Sequence, residues 1–223
     1  MRDSYWDILK GLGIIFVVMA HVNIFRQEIN WFHLELFFFV SGFFLNPKKC
    51  MDYGEFFLHK LKTLWKTFVM YNAVFFLLHD FFISINWITT SVTDKPNVTA
   101  AAWIHFYQLP SLIIQVISTG LPETMCLPTW FIVPFFINLL LFAYSVKITY
   151  NKPAWQLPVL LTAFFISGFL YLIYSPRLPM YVDMAMGLLP ITAAVFYLKK
   201  ICTAKNIKVT EIFSTRIAAG GGV

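Results

Sequence analysis

Charged side chains are scarce in this chain. They make up 13% of its 223 residues, against 59% hydrophobic residues and 25 phenylalanines. A soluble domain of that size could not cover so much apolar surface, which excludes an ordinary water-exposed fold. Cysteine is also scarce, and three thiols leave at least one unpaired, so no disulfide framework is expected. The first apolar stretch runs on into Asn23 and Arg26 without a small-residue cleavage site, so it reads as a retained span. The five histidines, His21, His33, His59, His79 and His105, lack ligand spacing such as His-x-x-x-His, and no metal is expected. A glycine-rich phosphate loop and an inverted repeat are likewise missing.

What is present is apolar length. Runs at 8–25, 31–45, 64–88, 129–150, 155–175 and 181–198 predict an all-α, polytopic integral membrane bundle of about six spans. The net charge of +6 is spread over the loops and encodes orientation, so the expected partner is the lipid bilayer and not a nucleic acid. With the N-terminus in the cytoplasm, fourteen basic residues lie inside and only Arg26, Lys95 and Arg177 outside. That bias predicts a multi-pass protein of the cell membrane. Counting the stretch Trp103 to Thr119 as a further span would leave eight inside and nine outside. It is therefore read as an interfacial or re-entrant segment in a long outer loop. On this topology Cys50 and Cys202 face the cytoplasm and Cys126 faces outward. Trp103, Trp130 and Trp155 fall near span ends and read as interface anchors.

The first span carries an expensive stripe. Lys10 and His21 are eleven positions apart, which on a helix leaves them within about 20° of each other and roughly 16 Å apart along the axis. Asp7 lies one turn before Lys10. Ionisable groups at such depth are costly and usually functional. The next apolar run, Trp31 to Leu45, reaches only about 22 Å against a core of roughly 30 Å. Its His33 and Glu35 fall at the same outer end as His21. A hairpin of the two spans would gather two imidazoles and a carboxylate, a general-base arrangement in which an acid orients an imidazole.

Asp7-x-x-Lys10-Gly11 with His21, followed by Phe32-His33-Leu-Glu35-Leu-Phe-Phe-Phe-Val-Ser41-Gly42-Phe-Phe, resembles the membrane-bound acyltransferase 3 family, especially its fucose O-acetylase-like branch. Leu127-Pro-Thr-Trp130-Phe131 and Leu178-Pro-Met-Tyr-Val-Asp183 are similar to later span starts of that family. The resemblance implies transfer of an acyl group, usually acetyl from acetyl-CoA, to a hydroxyl of an envelope carbohydrate. No permanently bound cofactor is implied. His21 matches the family's essential histidine, and Lys10 matches the basic residue eleven positions before it. Glu35 stands where the family often has proline, and Val69-Met70-Tyr71 replaces a Pro-Tyr. Members typically have about ten spans. The six spans here (1–200) and the atypical tail (201–223) therefore read as an incomplete domain.

His21 is thus the expected catalytic residue, as a base for the acceptor hydroxyl or as a transient acyl carrier. Lys10, Glu35 and Asp7 are placed with it, and His33 on the acceptor side. Lys10, Lys60 and Lys62 are candidates for the CoA phosphates. Each has a plain alternative: Lys10 as a snorkelling anchor, Asp7 as a helix-start acid, His33 and Glu35 as interfacial polar groups. Ser41 is expected to bond back to its own helix, with Gly42 allowing close packing. Two other readings remain at this point, a small transporter using the same stripe and an inactive fragment.

Overall fold

The computed structural model describes residues 4–21, 24–25, 32–85, 106–122, 124–174 and 178–205. Every regular element among them is helical, as expected. In chain order they are α1 Ser4–His21, α2 Glu35–Phe44, α3 Pro47–Met51, α4 Tyr53–Lys60, a π-helical turn Leu61–Trp65 and α5 Lys66–Ser84. There follow α6 Leu109–Thr119, α7 Ile132–Thr149, α8 Gln156–Tyr174, α9 Val182–Gly187 and α10 Leu189–Ala204. Short 3₁₀ turns lead into α6, α7 and α9.

Local chemistry sets the helix limits. The Asn46 side chain caps α3 by accepting from the Lys48 amide at 3.0 Å, and Pro47 fills the first position, where its missing N–H costs nothing. Asp52 caps α4 by accepting from the Glu55 amide at 3.0 Å. Gly120, at φ +71°, ends α6 in the left-handed conformation that a glycine adopts without strain.

Three stretches among the described residues are long and apolar enough to cross a membrane: Tyr53–Ser84, Pro128–Thr149 and Gln156–Tyr174. α9 and α10, bent by 46° at their junction, make a fourth if taken as one broken span. These coincide with four of the six apolar runs. Length and hydropathy alone thus give three to four spans. α2, with ten residues, is about 15 Å long, half the thickness of the hydrocarbon core. α6 is also too short to cross, at 11 residues and about 16 Å, and only Val116 on it is buried. The residues before 106 in that loop, the turn at 26–31 and the tail at 206–223 lie outside the described residues.

The 32 residues of Tyr53–Ser84 make a helix about 48 Å long, longer than the core by about three turns. The surplus accommodates Lys60, Lys62 and Lys66 at the N-terminal end, where Lys62 and Lys66 are exposed and Lys60 is partly buried. α8 shows what faces the lipid. Val159, Ile166, Phe169, Leu170 and Ile173 are all exposed, and only Leu161 and Gly168 are buried. Such a surface would aggregate in water and is at rest in a bilayer.

α7 is the hub of the bundle, touching α2, α3, α4, α8, α9 and α10. Phe142, Ala143, Val146 and Leu139 are buried on it, and Phe142 meets Phe196 of α10 edge-on at 5.3 Å. The α2–α10 contact is closer still: a Cβ on Gly42 would collide with the Thr192 carbonyl oxygen. Small residues permit such backbone approach in membrane bundles.

Candidate active site

α1 and α2 pair antiparallel through aromatic rings. Trp6 stacks on Phe43 at 4.0 Å, Gly13 lies against Leu36 and Phe37, and Phe16 meets Phe32 edge-on at 5.5 Å. The end of α1 at His21 therefore lies at the same end of the hairpin as His33 and Glu35. The register refines the sequence reading, however. Phe32 stands opposite Phe16, five residues before His21, so His33 and Glu35 begin roughly 7 Å deeper along the axis. The His21 side chain itself lies outside the described residues.

His33 is buried, and Glu35 has its Oε2 buried without a hydrogen-bond partner among the described residues. A buried acceptor in that state costs free energy, and its natural remedy is a donor such as an imidazole N–H or a hydroxyl. At the other end of α1, Lys10 pairs with Asp7 at 3.7 Å and stands 4.8 Å from the centre of the Phe44 ring. Both side chains are about two-fifths exposed, at 45% and 37%, so the pair contributes on the order of 0.2–1 kcal/mol. Ser41 donates to the Phe38 carbonyl at 2.8 Å, back along its own helix as expected.

Phe44 also lines a cavity of about 510 Å³ at the basic end of the bundle. Lys48, Lys49, His59 and Lys60 face it, with Asp52 and Glu55 supplying two acids. Lys60 is thus placed at a cavity and Lys10 beside its wall, while Lys62 is exposed and does not line it. Among the described residues, no group of three or more His, Cys, Asp and Glu could hold a metal. Trp155 is exposed, Trp130 lies 5.5 Å from Tyr181, and Trp103 lies outside the described residues.

Cys50, Cys126 and Cys202 are all buried. Burial pushes the Cys50 thiol up to about 11, against an opposing pull from the Lys60 charge. Only a trace of thiolate then exists at pH 8. Alkylation of Cys50 by iodoacetamide is expected to run about 100-fold or more slower than that of a free thiol, rising with pH up to 11. Mass-spectrometric time courses on native protein measure this directly, and rapid labelling at pH 8 would contradict it.

A polar seam escaped the sequence reading. Asn138, fully buried on α7, donates through Nδ2 to the Ala185 carbonyl at 2.8 Å and accepts at Oδ1 from the Thr192 hydroxyl at 2.8 Å. Its signal was there: one amide inside the apolar run of α7. Beside the seam, Asp183 is 2% exposed and neither carboxylate oxygen has a hydrogen-bond partner among the described residues. Just before it, Met180 and Tyr181 adopt φ +58° and +54°, left-handed values that cost non-glycine residues on the order of 1–3 kcal/mol each. Burying a bare carboxylate is unfavourable. Asp183→Asn is therefore expected to leave stability unchanged or raise it by up to about 2 kcal/mol, read from unfolding in detergent micelles. A large loss would mean that the charge itself is required.

The acyltransferase 3 family model, described as an acyltransferase domain, matches residues 3–201. No curated protein and no solved structure matches the chain. The matched region contains every residue of the α1–α2 hairpin, the basic cavity and the polar seam, and with its apolar spans this chain belongs to the acyltransferase 3 family of membrane proteins.

Proposed function

We propose that the chain is an integral-membrane O-acyltransferase, of the fucose O-acetylase-like kind. It moves an acyl group, acetyl in the simplest case, from acyl-CoA to a hydroxyl of a cell-envelope carbohydrate. The observation that carries this reading is the hairpin. Buried His33 and the unpartnered Glu35 Oε2 lie toward the His21 end, and Lys10 lies at the opposite end beside a basic cavity. In a six-span, N-terminus-inside arrangement in the cell membrane, the basic end faces the cytoplasm and the His21 end the outer half.

The chemistry divides between the two ends. Lys60 and Lys10 hold the donor's phosphates at the inner mouth, with Asp7 keeping Lys10 in place. At the other end the neutral His21 imidazole takes the acceptor O–H proton as the oxygen attacks the thioester carbonyl carbon. The C–S bond breaks, the thiolate leaves, and the imidazolium returns a proton to it. Glu35 accepts from an imidazole N–H or a sugar hydroxyl, and His33 orients the acceptor.

The direct test uses membranes carrying the chain. They should consume acetyl-CoA and release free CoA only when a glycan acceptor is added. Proton or solute flux through reconstituted vesicles, with no acetyl-CoA consumed, would replace this reading with transport.

A further inference from the structure

A second cavity, of about 640 Å³, opens on the other side of the Asn46–Lys48 corner, between the α7–α8 turn and the end of α10. Its lining differs from that of the donor cavity in one decisive respect. Lys48, Lys152, Lys199 and Lys200 all face it, and among the described residues no acidic one does. The donor cavity balances its lysines with Asp52 and Glu55, and Lys10 has Asp7. The Lys199 ammonium leans over the Phe43 ring, 5.3 Å from its centre, and the positive charge gathered around one concavity raises the local concentration of anions. The remaining wall is apolar, with Val146, Leu157 and Phe196 among its members, and Leu157 belongs to the lipid-facing α8.

We propose that this cavity is a phosphate-binding site whose ligand is a phosphate-bearing amphiphile, the headgroup of an anionic phospholipid. Basic pockets between membrane helices recognise such headgroups through charge, and the apolar wall accepts the first methylenes of a chain. The site adjoins the one assigned to the acyl donor, sharing Leu45, Asn46 and Lys48 with it, and its test does not depend on acyl transfer. A soluble phosphate offers the same chemistry without the chain.

The thermal midpoint of the full chain in detergent distinguishes these cases. Dioleoylphosphatidylglycerol is expected to raise it by about 5 °C, with dioleoylphosphatidylcholine inert. The double variant Lys152→Gln/Lys200→Gln should lose that gain, because both side chains lie on the rim of the cavity and are exposed. Lys66→Gln/Lys147→Gln removes the same charge from exposed positions outside the cavity and should keep it. A rise with phosphatidylglycerol alone assigns the lipid. An equal rise with sodium pyrophosphate, lost in the same double variant, upholds the phosphate site with a soluble source. No rise with either anion, or equal rises in both double variants, overturns the proposal.

Discussion

His21→Ala is expected to lower acyl transfer by about 10²- to 10⁴-fold, the range a positioned general base contributes. The loss should fall on turnover and leave the Michaelis constant for acetyl-CoA nearly unchanged, because the donor's phosphates are assigned to the opposite end of α1. His21 is the last residue of its helix, so its removal deletes no intrahelical turn. The thermal midpoint of the variant should stay within a few degrees of the parent, and that comparison separates lost chemistry from lost folding. Glu35→Gln provides an internal control. It keeps the shape and replaces an acceptor oxygen with a donor, so lowered but residual turnover is expected. Full activity of His21→Ala would remove the imidazole from the mechanism and the hairpin from the active site.

The largest expected effect on stability is at Asn138. Asn138→Ala withdraws both partners of a buried bridge, leaving the Ala185 carbonyl and the Thr192 hydroxyl facing each other across a new cavity. Hydrogen bonds between membrane helices average well under 2 kcal/mol, so the bonds alone do not set the cost. Adding the void gives a loss of about 2–4 kcal/mol. Denaturant titration in mixed micelles measures it, and a double-mutant cycle with Thr192→Val isolates the bridge. A coupling of about 0.5–2 kcal/mol is expected between the two sites. Additive effects would show that the bond contributes nothing beyond packing.

How much of this was legible in the sequence depended on the range of the interaction. Apolar length located α5, α7, α8 and the broken pair α9–α10, because crossing a bilayer requires a minimum length whatever the neighbours do. The antiparallel hairpin was legible too, since a short turn between two apolar runs leaves the chain little choice. Its register was not. The pairing of Phe16 with Phe32 is decided by ring packing, which sequence spacing does not encode, and it set His33 below His21 and not beside it. Ser41's local bond to Phe38 was read correctly because its partner is three residues away. The Asn138–Thr192 bond spans 54 positions and depends on α7 and α10 meeting, so the sequence held only half of the signal. Lysine charge was visible from the outset. Which lysines share a cavity with acids and which do not became visible only with the helices in place.

The contact of Gly42 with Thr192 has a mechanical consequence. α2 is seated against the backbone of α10 with no side chain between them to deform, so it cannot slide without unseating the hub. α1 leans on α2 through the side chains of Trp6, Phe16 and their ring partners, which yield more readily than backbone packed on backbone. The hairpin is thus one rail and one slider, and any opening between the two helices falls to α1. The helix that ends in His21 is the one that would move, and a Gly42 replacement would loosen the rail against which that motion is aligned.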